Sequence, residues 1–195
     1  MPANDECAAA VNLAQGATCS ATAGTSAWAT TSAGIPACVG TADDDVWYKF
    51  TTGAGVTYEH IRVVPDIDMD AVVQVFSGAC GGLTSIACKN DVGAGGAEDF
   101  FVSGLTGSTQ YYVRVYHFGN YYGNMTNSGT FTICVQGGPA PANDNCAGAV
   151  TLPSNATCIT NPPAANVSTT TFATPSGTGT PCTGYSVDDD VWYSF

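Results

Sequence analysis

The chain has 195 residues, 45 % of them hydrophobic, which is enough for one ordinary domain with a core and part of another. Its formal net charge is -12, from four Lys plus Arg against sixteen Asp plus Glu, so a nucleic-acid backbone would repel it and metal cations are its natural ionic partners. No apolar run is long enough to cross a bilayer, which excludes a membrane span.

Short segments in which apolar residues alternate with period two are typical of half-buried strands. In chain order, such segments lie at residues 46–51, 60–63, 111–116 and 130–135, and residues 72–76 form a more continuous buried run. Gly-rich turns separate them, and no segment shows a sustained helical stripe. We therefore predict an all-β fold, a two-sheet antiparallel sandwich with jelly-roll-like topology.

Cysteine usage indicates an oxidising compartment. Nine cysteines are far more than a reducing cytosol favours unless they bind metal. Metal binding is disfavoured because there is no CxxC pair, and because His60 and His117 lie away from any cysteine cluster. We predict disulfides and an extracellular or cell-surface location.

Two motifs occur twice in the chain. Residues 2–7 (PANDEC) return as residues 141–146 (PANDNC), and residues 43–48 (DDDVWY) return as residues 188–193. This recurrence predicts a tandem repeat.

A Pro- and Gly-rich linker separates the two copies. We predict a complete β-sandwich repeat at residues 1–136, a linker at 137–141, and the N-terminal part of a second, incomplete repeat at 142–195. The second copy cannot close a core by itself. Either the polypeptide continues past Phe195, which we favour, or another chain supplies the missing strands.

The six cysteines of the first copy are predicted to form three disulfides. Two of them flank a compact loop and strand, two lie near opposite ends of the domain, and the last pair follows by subtraction. The resulting pairs are Cys80–Cys88, Cys7–Cys134 and Cys19–Cys38. In the second copy we predict a disulfide between Cys158 and Cys182, and Cys146 then lacks a partner equivalent to Cys134.

Six ordered motifs of the first copy resemble one known module. They are residues 4–7 (NDEC), 45–50 (DVWYKF), 75–83 (VFSGACGGL), 86–88 (IAC), 111–116 (YYVRVY) and 129–135 (GTFTICV). Together they resemble the β-sandwich repeats of large secreted proteins from Bacteroidota, many exported by the type IX system, which are similar in plan to pre-peptidase C-terminal and CUB-like domains. The resemblance implies a module that accompanies secreted enzymes, or that stands in tandem in adhesins and surface filaments.

Acidic side chains cluster where strands meet loops, and such hard oxygen ligands suit Ca²⁺ if they converge. The spacing of Asp66, Asp68 and Asp70 is not that of an EF-hand, because Ala71 stands where its glycine is required. We predict a Ca²⁺ site that is built from neighbouring loops, with the ligands Asp45, Asp70 and Asp91. The alternative is that these carboxylates are solvated turn residues.

The recurring Asn-Asp pairs at residues 4–5 and 143–144 are predicted to cap turns through side-chain to backbone hydrogen bonds. The alternative is that they help bind an ion at the junction between modules.

A Gly- and Asn-rich segment near residue 120 carries aromatic side chains. Exposed rings of Tyr121 and Tyr122 could stack on sugar faces while Asn120 and Asn124 bond the hydroxyls, so we predict a glycan-binding loop there. By alternation, at least half of the rings in this region belong to the core or cover a sheet.

The motifs argue against catalysis, because neither histidine stands with a Ser or Cys nucleophile and the chain has no GxSxG or HExxH. We predict a non-enzymatic structural or adhesive repeat of an extracellular surface protein or filament, which neighbouring repeats or copies of itself would contact. The alternative is a carbohydrate-binding accessory module of a secreted enzyme, with surface glycans as partners.

Overall fold

A computed structural model describes residues 1–119, 129–138, 141–152, 170, 173 and 191–195. The chain divides into two compact units, Met1–Gly138 and Pro139–Phe195. Within the described residues the regular structure is β-strand with two short 3-10 turns, and no helix there is long and apolar enough to span a membrane.

The described part of the first unit contains ten strands and a 3-10 turn at Cys7–Ala9. The strands are β1 (Val11–Asn12), β2 (Gln15–Gly16), β3 (Thr22–Thr25), β4 (Val46–Thr51), β5 (Tyr58–Pro65), β6 (Ala71–Ser77), β7 (Thr84–Lys89), β8 (Glu98–Ser103), β9 (Gln110–His117) and β10 (Thr130–Gln136). One sheet, called sheet A below, has the order β1-β4-β9-β6-β7; the other, sheet B, has the order β2-β10-β5-β8, with β3 also paired to β10. The predicted all-β sandwich is confirmed.

The core lies between the two sheets and follows the predicted alternation. Val46, Tyr48 and Phe50 of β4 face inward, as do the odd-numbered residues of β9 and β10 from 111 to 115 and from 131 to 135. The rings of Phe50 and Tyr111 stack with centroids 5.7 Å apart. Each large apolar side chain buried in this way contributes about 1.5–3 kcal/mol to folding.

The chain enters and leaves the first unit at opposite ends. The entry end is the end where Asn4 bonds Trp47 at the start of β4. From there β1 runs parallel to β4, and β2 runs parallel to the last residues of β10. The exit end is the end where Gln136 finishes β10, followed by Gly137, whose N–H donates to Gly16.

A segment without regular structure, residues 26–45, covers the outer face of sheet A and is called the strap below. It crosses a row of four cross-strand neighbours, each on a different strand: Trp47, Arg114, Gln74 and Cys88. The strap buries this face, so that Trp47 is fully buried although it points away from the core.

The described part of the second unit has a 3-10 turn at Cys146–Gly148 and two strands, β11 (Val150–Thr151) and β12 (Tyr193–Ser194), which pair in parallel. Asn143 donates its side-chain amide to the carbonyl of Trp192, and Trp192 donates its N–H to the carbonyl of Asn143. Asn4 and Trp47 make the same two bonds in the first unit. The tandem repeat itself stays a prediction.

Candidate functional site

All six cysteines of the first unit form disulfides, but the three predicted pairings are wrong. The structure joins Cys7 to Cys80, Cys19 to Cys134 and Cys38 to Cys88. Sequence proximity suggested Cys80–Cys88, yet Cys88 lies on β7 with its side chain toward the strap, where Cys38 crosses it. The predicted bridge from the N-terminal segment to the last strand, β10, does exist, but Cys19 forms it instead of Cys7. The reason is that Cys7 packs against sheet A, whereas β10 belongs to sheet B.

In the second unit, Cys146 is exposed and free. We predicted that Cys146 lacks a partner equivalent to Cys134. Cys7, which corresponds to Cys146 in the first unit, pairs instead with Cys80. Cys158 and Cys182 lie outside the described residues, so their disulfide stays a prediction.

Arg114 is the centre of the contacts that hold the strap. Its guanidinium donates to the carbonyls of Ile35 at 3.0 Å and Pro36 at 2.6 Å, and to the side-chain oxygen of Gln74 at 2.6 Å. It also lies over aromatic rings, the nearest being Tyr116 at 5.1 Å. Burial lowers the pKa of Arg114, and the charge of Asp45, 3.7 Å away, opposes that shift.

Asp44 and Asp45, the two acidic residues directly before β4, are buried structural partners. Asp45 is fully buried, accepts the N–H of Ser32 at 2.8 Å and faces Arg114. Asp44 accepts the hydroxyl of Ser26 at 2.7 Å and the N–H of His117 at 3.0 Å. Burial raises the pKa of Asp44 to about 7, although these two hydrogen bonds act in the opposite direction.

The other predicted Ca²⁺ ligands also have protein partners. Asp70 accepts the side-chain amide of Asn90 at 2.6 Å, and Asp91 pairs with Lys89. Among the described residues, no three His, Cys, Asp or Glu side chains form a group that could hold a metal ion. The structure therefore does not bring Asp45, Asp70 and Asp91 together as a site.

The first Asn-Asp pair fixes the entry end through contacts that are distant in sequence. The amide of Asn4 donates to the carbonyl of Trp47 at 2.9 Å. Asp5 accepts both the N–H and the hydroxyl of Thr30, at 2.6 and 2.7 Å. Side-chain to backbone bonding was predicted, but these bonds join the N-terminal segment to β4 and the strap instead of capping a local turn.

The strap contains a turn that sequence reasoning missed. Its four residues run from Ser26 to Ala29, closed by a bond from the N–H of Ala29 to the carbonyl of Ser26 at 2.9 Å. Trp28 adopts a positive φ of 65° and is 62 % exposed. The sequence offers one signal, a lone aromatic residue in a run of Ala, Ser and Thr without strand alternation, but φ cannot be inferred from it.

The predicted glycan-binding residues Asn120, Tyr121, Tyr122 and Asn124 lie outside the described residues, and their role stays a prediction. The preceding rings of Tyr111, Tyr112 and Tyr116 are buried, whereas Phe118 is exposed. The three buried rings agree with the expectation that at least half of the rings there belong to the core or cover a sheet.

The outer face of sheet B carries a polar and aromatic group. His60 stacks on Phe101 with centroids 4.7 Å apart, and Phe101 is 65 % exposed. His60 also contacts Asp99 and Gln136, and Arg62 lies 3.4 Å from Asp99. The second histidine, His117, accepts the N–H of Asp70 at 3.1 Å. These contacts place neither histidine on a hydroxyl or thiol.

An open groove of about 400 Å³ lies between the strap and the turn that joins β6 and β7. Its walls are mainly apolar or small, with Ile35 and Pro36 on one side and Phe76 and Leu83 on the other. Gln74 at its floor is already bonded to Arg114 and Ser85. The groove therefore offers little polar chemistry for orienting a ligand.

Comparison with known proteins gives one family and several similar solved structures, including the two described below. A family model for domains associated with type IX secretion, described as galactose binding domain-like, matches residues 3–133. No curated protein matches. The chain is similar to the pre-peptidase C-terminal domain of collagenase from Bacillus anthracis, at 16 % identity over 65 % of this chain and 93 % of that chain, with a TM-score of 0.39. It is also similar to Tripeptidyl Peptidase 2, at 10 % identity over 73 % of this chain and 12 % of that chain, with a TM-score of 0.37.

Proposed function

This chain belongs to the galactose-binding-domain-like family associated with type IX secretion, and we propose that it serves as a structural, adhesive module that carries tension in its parent protein. Family membership and the disulfides point to a secreted or cell-surface protein. Domains of this family are non-catalytic modules, and we propose no reaction for this one.

The path of the chain supports this role. Because the polypeptide enters at Asn4 and leaves after Gln136 at the opposite end, tension applied to the two ends of the unit runs along its length. Pulling on both ends then slides β2 along β10, since the two run in parallel. The hydrogen bonds between β2 and β10 run across the direction of tension, so the force is shared among them and they resist separation of the strands together.

The observation that carries the proposal is the disulfide between Cys19 and Cys134. It joins the N-terminal segment to the last strand across a sequence separation of 115. Tension therefore passes through this bond and bypasses most of the module. If the bypassed residues were fully extended, they would add about 400 Å to the end-to-end length of the protein. A module built in this way keeps most of its structure even when its terminal segments are peeled away.

The test is single-molecule force spectroscopy on the full chain held by its termini under oxidising conditions. We expect the double variant C19S/C134S to extend further than the wild type, because the longer of the two remaining bridges, Cys7–Cys80, bypasses a separation of only 73, against 115 for Cys19–Cys134. Adding a reductant to the wild type under tension should release the bypassed chain in discrete steps, which tests the idea even if the variant folds poorly.

The matched control is C38S/C88S. This bridge lies inside the loop that Cys19–Cys134 closes, so its loss should leave the oxidised extension unchanged. Equal extension of C19S/C134S and wild type would refute the proposed force path.

The alternative role as a carbohydrate-binding accessory module of a secreted enzyme stays a prediction, as does an array of neighbouring repeats.

A further inference from the structure

The disulfide between Cys38 and Cys88 differs from the other two described bridges in its exposure to solvent. Both of its cysteines are exposed, whereas each of the other bridges has one buried half, Cys7 or Cys134. Thiol–disulfide exchange requires that a thiolate reach one sulfur and that the other sulfur leave as a thiolate. Either half of the exposed bridge can therefore be attacked from solvent, and either half can leave into solvent.

The identity of the leaving sulfur also favours exchange at this bridge. Attack at the exposed half of another bridge would release the thiolate of Cys7 or Cys134 in a buried position, where burial disfavours its charge. The exposed bridge also closes the shortest of the three loops, with a sequence separation of 50. In the chain-entropy model its loss therefore destabilises the folded unit least.

The bridge holds one part of the strap, residues 37–42, which is called the flap below. The N–H of Val39 donates to the hydroxyl of Tyr116 at 3.4 Å, and this hydroxyl donates to the carbonyl of Val39 at 2.7 Å. The N–H of Thr41 donates to the carbonyl of Phe118 at 3.1 Å. These few hydrogen bonds and the disulfide are the polar and covalent ties that the structure describes for the flap.

The apolar contacts of the flap are small. Ala37 and Ala42 are its members of a minor cluster that also contains Val72 and Tyr116 of sheet A. An alanine side chain buries little apolar area, so these contacts contribute little to holding the flap in place. Because Val72 and Tyr116 are fully buried, release of the flap would uncover both.

The part of the strap before the flap is held by contacts of its own. Arg114 donates to the carbonyls of Ile35 and Pro36, and Asp45 accepts the N–H of Ser32. None of these bonds involves the disulfide. The strap can therefore open beyond Pro36 while the residues before it stay in place.

We propose that Cys38–Cys88 is a redox-sensitive switch, which on reduction by a dithiol releases the flap from sheet A while the sandwich stays folded. One thiolate of the dithiol attacks the sulfur of one cysteine, and the other cysteine leaves as a thiolate that takes a proton from solvent. The second thiol of the dithiol then attacks the mixed disulfide and releases the first cysteine. The protein gains two electrons and two protons, and the dithiol becomes a cyclic disulfide.

The experiment titrates the oxidised full chain with buffers of reduced and oxidised dithiothreitol. Free thiols are alkylated at each ratio, and the labelled cysteines are identified by peptide mass spectrometry. We expect Cys38 and Cys88 to be labelled together, at a reducing ratio at least about tenfold lower than the ratio that labels the other two bridges. Cys146 is free and exposed, so its labelling at every ratio is the internal control.

Hydrogen exchange followed by mass spectrometry tests the release of the flap in the selectively reduced protein. We expect faster exchange at residues 37–42 and unchanged exchange at residues 26–36 and in β5 and β10. The matched control for the titration is C7S/C80S, which removes a bridge with a buried half and should leave the labelling ratio of Cys38 and Cys88 unchanged. The wild-type titration needs no variant, so it tests the proposal even if the control variant folds poorly.

Three results would overturn the proposal. Labelling of all six cysteines at one ratio would mean that the unit unfolds as a whole, and earlier labelling of another pair would mean that a different bridge is the most easily reduced. Unchanged exchange at residues 37–42 after reduction would show that noncovalent contacts alone hold the flap.

This inference goes beyond the proposed mechanical role and can fail separately from it. Both cysteines lie inside the loop closed by Cys19–Cys134, so reduction of Cys38–Cys88 alone should leave the extension under force unchanged.

Discussion

Arg114 is a buried cation that holds the strap in place in a protein with few charges. It is one of four basic residues in the chain and is fully buried on the outer face of sheet A. Two strap carbonyls, an amide oxygen and a buried carboxylate surround its guanidinium. Its planar fork satisfies acceptors on two segments at once, which a Lys could not reproduce. The strap therefore depends on this side chain for its position.

We expect Arg114→Met to lower the free energy of unfolding by about 3–5 kcal/mol, because it leaves Asp45 buried without its countercharge and the strap carbonyls without a donor. The measurement is urea denaturation of the oxidised protein. The control is Arg62→Met, which removes a half-exposed arginine beside Asp99 and should cost less than about 1 kcal/mol. Similar losses for both variants would show that Arg114 does not hold the strap.

At the scale of elements, the strap is as well fixed as a strand, although it has no regular structure. Its backbone groups bond side chains instead of a neighbouring strand: the N–H of Ser32 donates to Asp45, and Val39 bonds the hydroxyl of Tyr116 through both its N–H and its carbonyl. The bridge from Cys38 to β7 fixes its far side. The strap covers what would otherwise be an exposed row of large side chains.

We expect C38S/C88S to loosen the strap without opening the sandwich, because Arg114 still holds Ile35 and Pro36 while the part beyond them loses its covalent tie. Hydrogen exchange followed by mass spectrometry should show faster exchange in the strap and unchanged exchange in β5 and β10. Faster exchange in all strands would mean instead that this bridge stabilises the whole unit.

At the scale of the whole molecule, each end of the first unit contains a buried carboxyl group. Asp44 lies at the entry end, and Glu59 lies at the exit end, where it accepts the amide of Gln15 at 3.1 Å. Burial raises the pKa of each to about 7. Gly137 packs so closely on Glu59 that a Cβ there would come within 1.8 Å of the carboxyl oxygen. The exit of the chain is thus built around a group that titrates near neutrality.

These raised pKa values predict that stability falls as the pH rises toward neutral. The folded state holds both protons up to about pH 7, whereas the unfolded chain releases them near the ordinary pKa values of 3.8 for Asp and 4.5 for Glu, so the added stability is present at acid pH and is lost as the pH approaches 7. We expect a loss of up to about 1.4 kcal/mol per pH unit for each group between these limits. Denaturation midpoints at several pH values, compared with those of D44N and E59Q, measure it. A wild-type midpoint that stays level or rises over this range would contradict the prediction.

The strands, the presence of disulfides and the family could be predicted from the sequence alone. Alternating apolar residues in β4, β9 and β10 identified the strands and their inward faces, because the side-chain period of a strand is a local property. The cysteine content indicated disulfides for a similar reason, since it reflects the compartment and not the geometry. Ordered motifs indicated the family, which the family match confirms.

The partners of single residues could not be predicted, because they depend on which strands become neighbours. Cys7 meets Cys80, and Cys19 meets Cys134, only after two sheets and a strap have been placed. The acidic residues before β4 have the composition of a cation site, but folding turns them toward a guanidinium and backbone donors. The sequence by itself thus determined strands, sulfur chemistry and family, which are set by local pattern and composition. Only the tertiary structure decided the disulfide pairing, the position of the strap and the exposed turn at Trp28, because contacts between residues distant in sequence arise from the order of strands in the sheets.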